Sequence, residues 1–179
     1  IIYMVIKHWK RESIWIILAL VFCIVIADQV SSGLIKHLVE RPRPSHAVHL
    51  NGLVHLVNGY SGGLYGFVSS HAANSFGFAL LSSLIFRQKS YSIAIFVWAI
   101  LTAYSRIYLG VHYPLDIVGG IIVGILAALL CFAIIKKFRP SLLGFQERDS
   151  INNKPNTFIP LLVLGLSFIL IAIYSIATL

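Results

Sequence analysis

Residues 114–135 read PLDIVGGIIVGILAALLCFAII, and this stretch decides what kind of protein the chain is. Its only charge is Asp116, in the third position. About 20 apolar residues in a helix cross the roughly 30 Å hydrocarbon core of a bilayer. Backbone groups at that depth must be bonded within the segment, which selects a helix over an open strand. Working outward, three more stretches repeat the pattern: Ser13 to Ile35, interrupted only by Asp28 and Gln29, then Tyr91 to Leu109, then Thr157 to Thr178. Ala72 to Phe86 is a short one that needs the preceding loop to help it cross. The opening Ile1 to Ile6 reads as the tail of an apolar run begun earlier. The expected fold is all-α: a polytopic transmembrane helical bundle of five complete spans plus the remnant of an N-terminal one. It forms a single membrane-embedded domain over residues 1–179.

Composition agrees. The chain is 58% hydrophobic and 11% charged, with mean hydropathy +0.87. Soluble domains carry about 25% charged residues, so this one cannot cover a water-facing surface of its own size. The net charge of +8 does not point to nucleic acid. Most basic residues lie in three polar stretches: Lys7, Lys10 and Arg11; Arg87 and Lys89; and Lys136, Lys137, Arg139, Arg148 and Lys154. Such clustering is the mark of cytoplasmic segments in a membrane protein. It predicts an external loop over 36–71 and an external turn at 110–113. The 139–156 connector carries no chemistry, and Cys23 and Cys131, both in apolar runs, read as small core residues.

Four basic residues break the charge bias: Lys36, Arg41, Arg43 and Arg106. Cations near membrane depth are costly unless paired or functional. Three of them, Lys36, Arg43 and Arg106, belong to two of three clusters of basic, nucleophilic or titratable residues. Lys36 is followed after six residues by Arg43-Pro44. Ser69-Ser70-His71 stands just ahead of a helix. Ser105-Arg106 is followed by His112 and Asp116. Pro114 suits the first turn of a helix, so Asp116 can fold back and accept the Nδ1 proton of His112. That leaves Nε2 as a nucleophile, the logic of an oriented catalytic histidine. The bland reading is a histidine at a membrane edge, tied to a nearby acid. His71 could trade protons with a leaving oxygen and then with water; Ser69-Ser70 is also an ordinary helix cap. Lys36, Arg43 and Arg106 suit the spread negative charge of a phosphoryl group. Taken singly, Lys36 could snorkel from a helix end and Arg106 could pair with Asp28.

The three clusters resemble the signatures of the type-2 phosphatidic acid phosphatases, the integral-membrane lipid phosphate phosphatases related to the vanadium haloperoxidases. Lys36, Arg43 and Pro44 match Lys-x6-Arg-Pro. Ser105, Arg106, His112 and Asp116 match Ser-Arg-x5-His-x3-Asp in full. The middle signature, Pro-Ser-Gly-His, stands here as Val68-Ser69-Ser70-His71, departing at its Pro and Gly positions. At about 5% usage per residue type, four fixed residues at fixed spacing arise on the order of once in 10⁵ start positions. The resemblance implies His112 as the nucleophile forming a phosphohistidine, Asp116 as its orienter and His71 as general acid, then base. Lys36, Arg43, Ser69, Ser70 and Arg106 would hold the phosphate. Arg41, two residues off the signature, is left outside the site.

The expected reaction is metal-independent hydrolysis of a lipid phosphate or pyrophosphate at the outer membrane–water interface. Undecaprenyl diphosphate, phosphatidylglycerol phosphate, phosphatidate and a lipid A phosphate are all open. The expected setting is a bacterial inner membrane, with the site facing the periplasm or exterior. A lipid phosphotransferase and a non-catalytic transporter of anionic lipid are the rivals. No cofactor, no nucleic acid partner and no metal is expected. His46, His49 and His55 have only Glu40 near them in sequence, a poor ligand set. Gly120 and Gly124 read as a helix-packing pair, Trp9, Trp15 and Trp98 as interfacial anchors, and Asp28 as a hydrogen-bonding residue between helices.

Overall fold

The structure, a computed structural model, describes residues 2–143 with the exception of Asn51. The expected span Thr157 to Thr178 and most of the 139–156 connector lie outside the described residues. Within them the chain is helical, with one isolated antiparallel bridge between Pro42 and Tyr65. The elements are α1 (Ile2–Trp9), α2 (Ser13–Asp28), α3 (Lys36–Val39), α4 (Ser70–Phe86), α5 (Lys89–Tyr108) and α6 (Pro114–Phe138). Among the described residues, three helical stretches are long and apolar enough to cross a membrane: Lys10–Val39, Lys89–Tyr108 and Pro114–Phe138.

The first of these corrects the expected boundaries. The helix does not stop at Ile35. It runs on through a π-helical segment, Gln29–Ile35, into α3. A 30-residue helix is roughly 45 Å long at 1.5 Å per residue, well beyond the hydrocarbon thickness. Lys36 therefore stands on the helix rather than in the loop, and the loop begins at Glu40, whose left-handed backbone (φ 47°) ends α3. The wider π turn shifts the face that the following residues present, a device often found at functional sites.

α4 is the middle helix, touching α2, α5 and α6. It is 17 residues long, about 25 Å, and faces protein on most sides, so its apolar stretch could be short without exposing polar backbone. Its serines turn inward: Ser82 donates to the Phe78 carbonyl at 2.7 Å and accepts from the Tyr91 hydroxyl at 3.0 Å. By contrast α2, α5 and α6 expose rows of large apolar residues, among them Phe22 and Val25, Val97 and Leu101, and Ile122 and Leu126. Such a contiguous apolar exterior suits lipid rather than water. The chain is an integral membrane protein.

Gly120 and Gly124 meet α4 as expected. A Cβ at Gly124 would run into the Ala73 carbonyl and the Gly77 amide, and one at Gly120 into the Ser69 carbonyl. Only glycine lets the two backbones come this close. Cys23 and Cys131 are both buried thiols within the same bundle core, as read from the sequence. Trp9 corrects its expectation: it is buried against Phe86, with its indole N–H donating to the Leu142 carbonyl at 3.4 Å, and is no interfacial anchor. Trp15 is exposed beneath the Arg139 guanidinium, 4.2 Å from the ring centroid. These contacts bring the end of α6 beside the start of α2. The basic residues Lys10, Arg11, Lys136, Lys137 and Arg139 thus share one end of the bundle, and the residues of the three clusters share the other.

Candidate active site

The short turn between α5 and α6 carries the central pair. Tyr113 is extended, Pro114 opens α6, and Asp116 folds back over the helix start. Its Oδ2 accepts from the Tyr113 backbone N–H at 2.9 Å and lies 3.2 Å from Nδ1 of His112. Asp116 is fully buried and His112 only 3% exposed. With Nδ1 engaged, Nε2 is the ring nitrogen left for chemistry. Burial pushes the His112 imidazole below its ordinary pKa, and the Arg43 and Lys36 charges act the same way, against the pull of Asp116.

The start of α4 is tied to the same turn. The Ser69 N–H donates to the Asp116 carbonyl at 2.9 Å, and the Ser69 hydroxyl caps α4 by accepting from the Ala72 N–H at 3.4 Å. Ser70 follows in the first turn and accepts from Lys36 Nζ at 3.1 Å; Lys36 also donates to Ser32 at 3.3 Å. His71 is solvent-exposed at the mouth of the site. It lies within electrostatic reach of Arg106, His112, Lys36 and Arg43.

Arg43 arrives on an extended strand of loop. Its N–H donates to the Leu64 carbonyl at 3.0 Å and its Nε to the Tyr65 carbonyl at 3.1 Å. Gly66 closes this arrangement. A Cβ there would sit 3.1 Å from Asp116 Oδ2 and 3.2 Å from Arg43 Cγ, so a side chain would press on both. Arg106, near the end of α5, donates from Nε to Ser105 at 3.1 Å, and Ser105 in turn donates to the Thr102 carbonyl at 2.7 Å. The alternative pairing of Arg106 with Asp28 does not form. Asp28 accepts instead from the Asn74 side chain at 3.3 Å, the interhelical role expected of it.

The structure thus brings Lys36, Arg43, Ser69, Ser70, His71, Arg106, His112 and Asp116 to one end of the bundle, from five segments of chain. His46, by contrast, turns to the loop itself, 3.3 Å from the Gly62 carbonyl.

One residue set aside in the sequence belongs here. Arg41 forms an ion pair from Nη2 to Asp116 Oδ1, and its guanidinium lies between the rings of Phe67 and Tyr113, at 4.9 and 5.0 Å. Arg41 stands two residues off the signature register yet reaches Asp116. The signal was in the stretch Arg41-Pro42-Arg43-Pro44: a residue before proline is driven to extended backbone, and alternate residues of an extended segment face the same side. Arg41 and Arg43 both precede a proline, so one arginine in the site implies the other.

A chain with this site and fold has known relatives. It is 41% identical over 140 residues to a lipid A 4'-phosphatase of Bacteroides thetaiotaomicron, covering 76% of this chain and 62% of that one. It is 39% identical over 138 residues to the lipid A 4'-phosphatase of Porphyromonas gingivalis, covering 77% and 58%. It is 29% identical over 117 residues to the undecaprenyl-diphosphatase BcrC of Bacillus subtilis, covering 64% and 56%. The chain therefore spans about six-tenths of the length of the curated relatives it matches. No solved structure matches it. The PAP2 superfamily profile matches residues 5–140, across the bundle and every residue of the site, and the chain belongs to that superfamily.

Proposed function

We propose that this protein is a lipid phosphate phosphatase that works through a phosphohistidine, and that its substrate is a phosphomonoester on the sugar headgroup of a lipid A. The observation that carries the reaction is the buried His112–Asp116 pair facing Lys36 and Arg43. Nε2 of His112 attacks phosphorus while Lys36, Arg43, Arg106, the Ser69 hydroxyl and the Ser70 backbone N–H hold the equatorial oxygens. His71 gives its proton to the departing alkoxide. It then takes one from the water that cleaves the phosphorus–nitrogen bond, releasing phosphate and free His112. No step in this sequence calls for a metal. The substrate choice rests on the two relatives named as lipid A 4'-phosphatases, which are more similar in sequence than the diphosphatase.

Three crossings, Lys10–Val39, Lys89–Tyr108 and Pro114–Phe138, carry the described bundle, and the sequence pattern supports further spans beyond them. The basic end of the bundle faces the cytoplasm by the positive-inside bias. That leaves the site at the outer face of a bacterial inner membrane, where acyl chains stay in lipid and the phosphate meets the cations. The test is phosphate release by the purified protein from lipid A, undecaprenyl diphosphate, phosphatidylglycerol phosphate and phosphatidate, with trapping of an acid-labile phosphoenzyme. Lipid A should be the best substrate, with the label lost in His112→Ala. Preference for undecaprenyl diphosphate would move the substrate; transfer of the phosphoryl group to a second lipid would make the protein a transferase. Full turnover by His112→Ala would remove the mechanism.

A further inference from the structure

We infer that Arg41 is a positioning residue: it holds the Asp116 carboxylate so that Oδ2 alone serves His112, and it links the loop that carries Arg43 to the attacking histidine. This rests on the phosphatase reading above.

The two oxygens of Asp116 are divided. Oδ1 takes the Arg41 guanidinium, while Oδ2 takes Nδ1 of His112 and the Tyr113 N–H. A fully buried carboxylate is tolerated only when its acceptor sites are filled and its charge is matched. His112, kept neutral to act as nucleophile, cannot match that charge. Arg41 is the cation that does.

Arg41 is itself held on several sides. Its carbonyl accepts from the Gly66 N–H at 2.9 Å, and its head lies between the rings of Phe67 and Tyr113. Its buried Nε makes no hydrogen bond among the described residues, and the contacts that hold its head are Asp116 and the two rings, with the side chain 32% exposed. Tyr113 is the residue between His112 and the first residue of α6, so the clamp bears on the turn that carries the nucleophile. Arg41 and Arg43 are two residues apart on one extended segment, pinned by Gly66 and Leu64. Seating a phosphate on Arg43 therefore fixes the backbone from which Arg41 reaches Asp116. With Arg41 gone, Oδ1 is unheld and Asp116 orients Nδ1 less firmly through Oδ2, while its unmatched charge falls on the imidazole and raises its pKa.

The test compares Arg41→Lys, Arg41→Met and Arg43→Met in the full chain, purified in detergent, against the best lipid phosphate. In Arg41→Met, kcat should fall by a factor on the order of 10 to 10² while KM moves less than about threefold. Arg41→Lys should recover part of the loss, and Arg43→Met should act on KM as well. The His112 imidazole, followed by NMR on labelled protein, should titrate at higher pH in Arg41→Met. The other charges around it, Arg43 from the loop, Lys36 from α3 and His71 from α4, remain in place, as does Arg106 from α5, which faces His71. A kcat and a His112 titration both equal to wild type would overturn the inference. So would a loss confined to KM, which would make Arg41 a phosphate ligand. The titration needs no turnover: if the wild type cleaves no lipid phosphate, the reaction reading fails while an unchanged or shifted His112 titration still decides the role of Arg41. Should Arg41→Met fail to fold, Arg41→Lys carries the same two readouts.

Discussion

Nδ1 of His112 and Oδ2 of Asp116 lie 3.2 Å apart across the first turn of α6, both shielded from water. In the proposed mechanism the pair fixes which nitrogen of the imidazole carries the proton and which is free to attack. Asp116→Asn keeps the shape but presents an amide that can hold the wrong tautomer. The expected loss in kcat is on the order of 10³ to 10⁴, the scale seen when the equivalent acid of a serine protease triad is changed. Phosphoenzyme trapping should fail in parallel, and an Asn variant with near wild-type turnover would contradict the orienting role.

The pH profile follows from burial. His112 must be neutral to attack, and its pKa lies below the ordinary value because burial disfavours the imidazolium. As pH falls, activity is lost only on passing through that depressed pKa. The acid limb of kcat/KM should therefore lie below about 6.5, the unperturbed histidine value. A limb at or above that value would mean that Asp116 outweighs burial.

Lys36 reaches the site only because the helix continues past Ile35. Lys36→Met removes a cation that donates to Ser70 and faces His112. Loss of one preorganised electrostatic donor costs about 10²–10³ in kcat. Steady-state kinetics on the variant, with the fold checked by melting, measures it. A variant with unchanged kcat would return Lys36 to a snorkelling role.

The crossing of α4 and α6 should tolerate no side chain at Gly124. Gly124→Leu would press on the Ala73 carbonyl and the Gly77 amide, which are backbone and cannot swing away. Overpacking of this kind costs about 1–3 kcal/mol. Because Ser69 and Asp116 are joined at the same crossing, activity should fall along with the melting temperature in detergent. A stable, fully active variant would show that the helices can part without disturbing the site.

Chelation and vanadate probe the chemistry from outside. Turnover should survive EDTA, since the histidine, the arginines and the lysine supply nucleophile and charge. Vanadate should compete with substrate by taking the five-coordinate shape of phosphorus in transfer. Loss of activity on chelation, restored by a divalent ion, would require a different mechanism.

The sequence by itself determined the solvent and the family signatures. Apolar stretches of near-bilayer length settle that helices lie in lipid, because hydrocarbon permits few other backbones. Fixed spacings within a turn, such as His112 to Asp116, are local geometry and survive whatever the rest of the chain does. Gly120 and Gly124 announced a close crossing because their spacing places both on one helix face. What only the tertiary structure decided was whatever depends on a partner far along the chain. The buried role of Trp9 depends on Leu142, and the reach of Lys36 on a π turn that hydrophobicity does not register. The place of Arg41 depends on an aspartate 75 residues away. Its reason is electrostatic: a carboxylate sealed from water needs a cation, and which cation answers is set by the fold that seals it.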